Sequence, residues 1–109
     1  MLPDMTDKLD IDVRDNPERS RYEAVHDGEV IGFAEYDKTE DVVVFTHTVV
    51  DSGYEGKGVA GQLVRFALDA VRDEGTREVV PQCSYVKGWI AKHPDYIPLV
   101  YGQAKPAAD

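Results

Sequence analysis

The chain has 109 residues, room for one ordinary domain and one hydrophobic core, and its 42% hydrophobic and 30% charged residues are the composition of a folded protein. A single cysteine, Cys83, excludes an internal disulfide and a thiolate zinc cluster, so no metal site is expected. The formal charge of −9 argues against nucleic acid and leaves either cationic partners or plain solvation, while the lack of an apolar run of roughly 20 residues and the acidic N-terminus point to a cytoplasmic protein without a membrane span or signal peptide.

Neither a repeat nor a low-complexity segment divides the chain, so residues 1–109 are read as one domain with an ordered core at about 8–101 and loose ends. Leu9, Ile11 and Val13 alternate with charged residues and suggest a short first strand. Residues 21–26 form the next strand, Asp27-Gly28 is a strong hairpin signal, and residues 29–36 are the return strand. Period-2 alternation puts Ile31 and Phe33 on one face of it and Val30, Ala34 and Tyr36 on the other. Residues 42–50 are a β-branched and aromatic run that is apolar on both faces, as a central strand would be. Its polar interruption is Thr46-His47-Thr48, and simple alternation puts His47 on one face with Val43, Phe45 and Val49.

Residues 51–58 are rich in glycine and lead into a helical stripe of Val59, Ala60, Leu63, Val64, Ala67, Leu68 and Val71, stopped by Gly75. Residues 76–84 read as a second buried strand, and residues 86–92 as a short helix that ends before Pro94. The fold class is therefore α+β, with a mostly antiparallel sheet, one long helix after the central strand and a short C-terminal helix.

The chemistry is expected at the glycine loop. A strand, then Gly53-Tyr54-Glu55-Gly56-Lys57-Gly58, then a helix brings unpaired backbone N–H groups to the positive end of a helix dipole, where anions bind. Gly56 and Gly58 let the main chain turn and approach a phosphate closely, and Lys57 can add charge. The alternative is an ordinary loop that needs glycine only to turn.

The stretch 49–60 resembles the coenzyme-A pyrophosphate motif of GCN5-related N-acetyltransferases, Gln/Arg-x-x-Gly-x-Gly/Ala, with its glycines at Gly56 and Gly58 and its first position at Gly53, which is neither Gln nor Arg. The likeness extends over roughly residues 20–100, through Pro81-Gln82-Cys83-Ser84-Tyr85, Trp89 and His93-Pro94-Asp95-Tyr96, to the very short branch of that superfamily. The resemblance implies a minimal fold of that family with acetyl-coenzyme A or coenzyme A as cofactor. It implies that the strands ending at Val50 and Ser84 are parallel and splay apart around the pantetheine arm, with main-chain groups of Thr48, Val49 and Val50 pairing with it. Glu55, Gly56, Lys57, Gly58, Val59, Ala60, Gly61 and Tyr85 complete the implied cofactor set.

In the same resemblance, the usual tyrosine acid and the asparagine that precedes it after the last core strand correspond to Ile90 and Cys83, so the usual acid is missing. The short branch instead carries a histidine on the central strand and a cysteine on its neighbour, matched by His47 and Cys83. His47 then serves as general base, and Cys83 as thiolate acid or covalent acetyl carrier. Against this stands plain packing of one histidine and one cysteine. The two helices that usually follow the first strand are also missing, which favours an exposed amine on a peptide, protein or small amine as acceptor. A non-catalytic coenzyme-A-binding or interaction module is the alternative. An open sheet edge allows a monomer or a weak homodimer. Trp89 and Tyr96 read as packing, His26 as exposed beside its turn, His93 as a helix end with a place near the cofactor's thiol end as the alternative, and Lys87 and Lys92 as the solvated outer face of the last helix, with the nucleotide's phosphates as the alternative.

Overall fold

The computed structural model describes residues 8–103, and the expected fraying of the ends falls on residues outside that range apart from Gly102 and Gln103. The strands are β1 (Asp12–Asn16), β2 (Arg21–His26), β3 (Glu29–Lys38), β4 (Val42–Val50) and β5 (Glu78–Pro81), and the helices are α1 (Val59–Glu74) and α2 (Ser84–Ala91). They make one five-stranded sheet in the order β1-β2-β3-β4-β5. The first three pairings are antiparallel, and β4 with β5 is parallel, joined by the α1 crossover. This is the mixed α+β architecture that the sequence implies.

Local chemistry explains the elements. Asp27 and Gly28 both take positive φ, 51° and 78°, which matches the twist of a tight hairpin between β2 and β3. Gly75 ends α1 at φ 76°, its N–H donating to Val71 O. The apolar stripe of α1 is buried as Val59, Leu63, Val64, Ala67, Leu68 and Val71. It packs on Tyr22, Ala24, Ile31, Ala34, Tyr36, Val43, Phe45 and Val79 of the sheet. Val86, Trp89 and Ile90 of α2 and Tyr96 of the following 3₁₀ turn (Pro94–Leu99) join the same core. Trp89 stacks on His93 with ring centroids 3.8 Å apart, and Tyr96 donates to Asp69 at 2.6 Å.

Several boundaries and faces differ from the sequence reading. Leu9 and Ile11 precede β1 rather than forming it, though both pack on the core. The last strand stops at Pro81, because the Cys83 N–H bonds Phe45 O and Ser84 already opens α2. His26 is half-buried, with Nδ1 at 3.0 Å from Asp10 O and its ring against Tyr54.

Two bulges shift the alternation. Val30 faces Val25 and Gly32 faces Ala24, so Ile31 is an extra residue, and it turns into the core together with Ala34 and Tyr36 while Phe33 faces away. On β4, Phe45 faces Tyr36 and His47 faces Glu35, so Thr46 is extra. Val43 and Phe45 are buried, whereas His47 and Val49 emerge on the opposite face.

Both helices pack on one face of the sheet, and β4 is consequently buried on one side only, not on both. The other face carries cross-strand rows, Arg14–Glu23–Phe33–Val49 and Asn16–Arg21–Glu35–His47. Glu23 is only 2% exposed there, covered by the side chains that bond it: Arg21 Nε at 2.9 Å, Arg14 Nε at 3.1 Å and Asn16 Nδ2 at 3.1 Å. Burial works to raise its pKa, but these donors hold the carboxyl below the usual carboxylate range.

Candidate functional site

The site begins where two parallel strands part. β4 and β5 stay in register from Val42↔Glu78 to Phe45↔Pro81. After the Cys83 N–H to Phe45 O bond of 2.8 Å the chain leaves into α2, while β4 runs on to Val50. From Thr46 onward, the β5-side edge of β4 has no strand partner among the described residues. Backbone polar groups at such an edge call for a partner, and an extended ligand with amides supplies one.

The wedge opens onto the glycine loop. Gly56 and Gly58 sit at φ 76° and 78°, and Gly58 is the residue that caps α1, with no side-chain cap to occupy the first N–H groups of the helix. A cavity of about 270 Å³ lies there. Its walls are Val50 and Tyr54 from the strand end, Glu55, Gly56 and Gly58 from the loop, Val59, Ala60 and Gly61 from the first turn of α1, and Tyr85 from α2. Burial pushes the Tyr85 phenol up from its ordinary pKa, so it stays a protonated hydrogen-bond donor. Gly61 lets α2 come close, since a Cβ on it would lie 3.7 Å from the Tyr85 hydroxyl and 3.9 Å from Trp89 Nε1.

Of the expected cofactor residues, Thr48, Val49 and Lys57 do not line this cavity. Thr48 turns toward Cys83, its Oγ1 3.4 Å from Sγ. Val49 is on the open face, and Lys57 O accepts the Leu9 N–H. Tyr54 was not among the expected residues, because its place in the wall depends on the 3₁₀ turn Ser52–Tyr54, which no sequence pattern marks. A larger cavity of about 440 Å³ between β1 and α1 contains neither the glycine loop nor the splayed strands.

His47 and Cys83 are brought to the same level of β4 but to opposite faces. Adjacent strand residues point to opposite sides, and Thr48 is the one that touches Cys83. The extra residue at Thr46 causes this, and it corrects the expectation that His47 shares a face with Phe45. The His47 side chain is 71% exposed, and its Nδ1 lies 3.1 Å from Glu35 Oε1. That contact leaves Nε2 facing solvent. Cys83 is half-buried at the start of α2, which alone would raise its pKa, but the Thr48 hydroxyl and the nearby N–H groups of Val86, Tyr85 and Thr48 favour the thiolate and bring it below the ordinary thiol value.

The model of a family described as GCN5-related N-acetyl-transferase matches residues 21–99, most of the chain. The chain belongs to this family. Its fold is similar to a GNAT family N-acetyltransferase of Escherichia coli, YhbS, whose structure is a complex with CoA: 25% identity, TM-score 0.51, 69% of this chain and 48% of that one. It is also similar to a GNAT family acetyltransferase of Elizabethkingia anophelis with acetyl-CoA bound, at 16% identity and TM-score 0.51, over 71% of this chain and 53% of that one. The chain thus spans about half the length of these structures. No curated protein matches it. No helix among the described residues is long and apolar enough to cross a membrane.

Proposed function

We propose that this chain is an acetyl-coenzyme-A-dependent N-acetyltransferase. The observation that carries the reading is the coincidence of three features in one wedge: the unpaired edge of β4, the glycine loop at the start of α1, and the polarised Cys83 between them. The diphosphate rests on the N–H groups after Gly56, the pantetheine amides pair along Thr48, Val49 and Val50, and the thioester lies beside Cys83.

His47 approaches the thioester from the other face, where the acceptor amine arrives. Held at Nδ1 by Glu35, it takes the ammonium proton at Nε2, and the free amine attacks the acetyl carbonyl. Cys83 has two ways to act. As a thiol it protonates the departing coenzyme-A sulfur; as a thiolate it takes the acetyl group, the bond to coenzyme A breaks, and the amine then removes the acetyl and restores the thiolate. The lowered pKa favours the second. The uncovered sheet face suits an exposed amine on a peptide or protein, in a cytoplasmic setting that keeps the cysteine reduced.

A second reading, a non-catalytic coenzyme-A-binding module, is favoured by one observation: Ile90, at the position of the usual tyrosine acid, is 4% exposed in the core. Calorimetric titration with coenzyme A, followed by an amine screen with acetyl-coenzyme A, separates the readings. Saturable binding that Gly56→Val abolishes, with turnover raised by an amine, supports the enzyme. Binding without turnover on any amine supports the module, and no binding sinks both.

A further inference from the structure

The glycine loop is braced by a segment far from it in sequence. The Leu9 N–H donates to Lys57 O at 2.9 Å. Gln62, on the first turn of α1, donates through Nε2 to Leu9 O at 2.8 Å and to Gly58 O at 3.2 Å. The stretch ahead of β1 is thereby tied to the turn that Gly58 makes. Beside the tie, Lys8 lays its side chain along Gly58: a Cβ on that glycine would come within 3.0 Å of Lys8 Cγ and 3.7 Å of Cδ. The missing side chain at position 58 thus has a second use, as a seat for the stem of a lysine.

Resting on the reading of this loop as the seat of the cofactor's diphosphate, we propose that Lys8 is a cofactor-binding residue that sets its ammonium against the diphosphate, and that Gln62 is the residue positioning it. The loop's own side chains do not supply net positive charge, since Glu55 lines the cavity and offsets Lys57. Backbone N–H groups and the helix dipole contribute only partial charges. A diphosphate there gains from one more full cation. An ammonium on a four-carbon stem is a compact point charge, and a stem already laid along Gly58 loses less freedom on pairing than a free one.

The probes are coenzyme A and pantetheine, which lacks the diphosphate and nucleotide, titrated into the full chain. In Lys8→Ala the affinity for coenzyme A falls about fivefold to tenfold at low salt, the worth of one charge-assisted hydrogen bond on an exposed side chain. Pantetheine affinity is unchanged, Lys8→Arg keeps most of the coenzyme-A affinity, and the deficit shrinks as salt rises. Gln62→Leu weakens coenzyme A in the same selective way, and its effect does not add to that of Lys8→Ala. Equal losses for both probes would make Lys8 a structural cover over the loop and overturn the proposal, as would an unchanged coenzyme-A affinity. A wild-type chain that holds coenzyme A no better than pantetheine would overturn the reading of the loop, and Lys8 with it.

Discussion

The two faces of β4 are unlike in almost every physical respect. On the helix side, Phe45 and Val43 are sealed in the core and Thr48 meets a half-buried thiol whose pKa is lowered. On the other side, His47 and Val49 stand in the open, in rows with Glu35, Arg21 and Phe33. A single extra residue, Thr46, decides which side His47 occupies. The comparison teaches that a histidine and a cysteine on neighbouring strands need not form a pair in contact. In the proposed reaction they flank the thioester, one facing the cofactor and the other the acceptor.

The sharpest way to break this comparison is to remove each partner in turn. His47→Ala should lower kcat by about 10²-fold or more, the usual contribution of a general base, with acetyl-coenzyme-A affinity intact. Cys83→Ala should do the same, and mass spectrometry of the intact protein mixed with acetyl-coenzyme A and no amine should find an acetyl group on Cys83 of the wild type if the covalent route is used. Full activity in both variants would remove the assigned roles. Next in size, Glu35→Gln should cost about tenfold in kcat, the worth of one charge-assisted contact, without changing the KM for acetyl-coenzyme A. An unchanged kcat would leave Glu35 as a bystander.

The open face has a stability signature of its own. Breaking the Glu23 cluster with Glu23→Ala strands Arg14 and Arg21 and should cost about 1–3 kcal/mol in denaturant unfolding. Because the Glu23 carboxyl is held below its ordinary range, its stabilisation is present above that range and is lost as pH falls through the depressed value. Glu23→Gln should therefore flatten the acid limb of the wild-type stability curve, and an unaltered limb would show that other carboxylates govern it. The smallest effect belongs to the helix side: the rate of Cys83 alkylation by iodoacetamide should rise with pH earlier than that of a free cysteine, and Thr48→Val should shift the curve back toward it.

The α1 stripe, the Asp27-Gly28 hairpin and the Gly75 stop were legible in the sequence because each follows a local rule of periodicity or positive φ. The strand β4 was legible to its ends through its β-branched and aromatic composition. Faces were legible only as far as alternation holds: the extra residue at Thr46 has no mark in its β-branched and aromatic run, and the one at Ile31 is marked only by the neighbouring Gly32, a glycine inside a strand. The strand β5 was found but read too long, because Gln82 to Ser84 prolong a strand pattern that ends only when Cys83 bonds Phe45 O. At the site, the glycines were found through their motif. Glu35, Gln62 and Lys8 were not, since their contacts close distances in sequence that only the folded chain spans, and Tyr54 was not, since its place in the wall depends on the Ser52–Tyr54 turn.

The central claim, a cofactor on the helix side of β4 and an acceptor on the open side, is tested most directly by a heteronuclear NMR titration of the assigned protein with coenzyme A. The account predicts shifts at Val50, Gly56, Gly58, Ala60, Gly61 and Tyr85, with the Phe33 ring and the Arg14 and Arg21 guanidinium signals unmoved. Shifts concentrated on Phe33, Arg14 and Arg21, with the glycine loop silent, would contradict it.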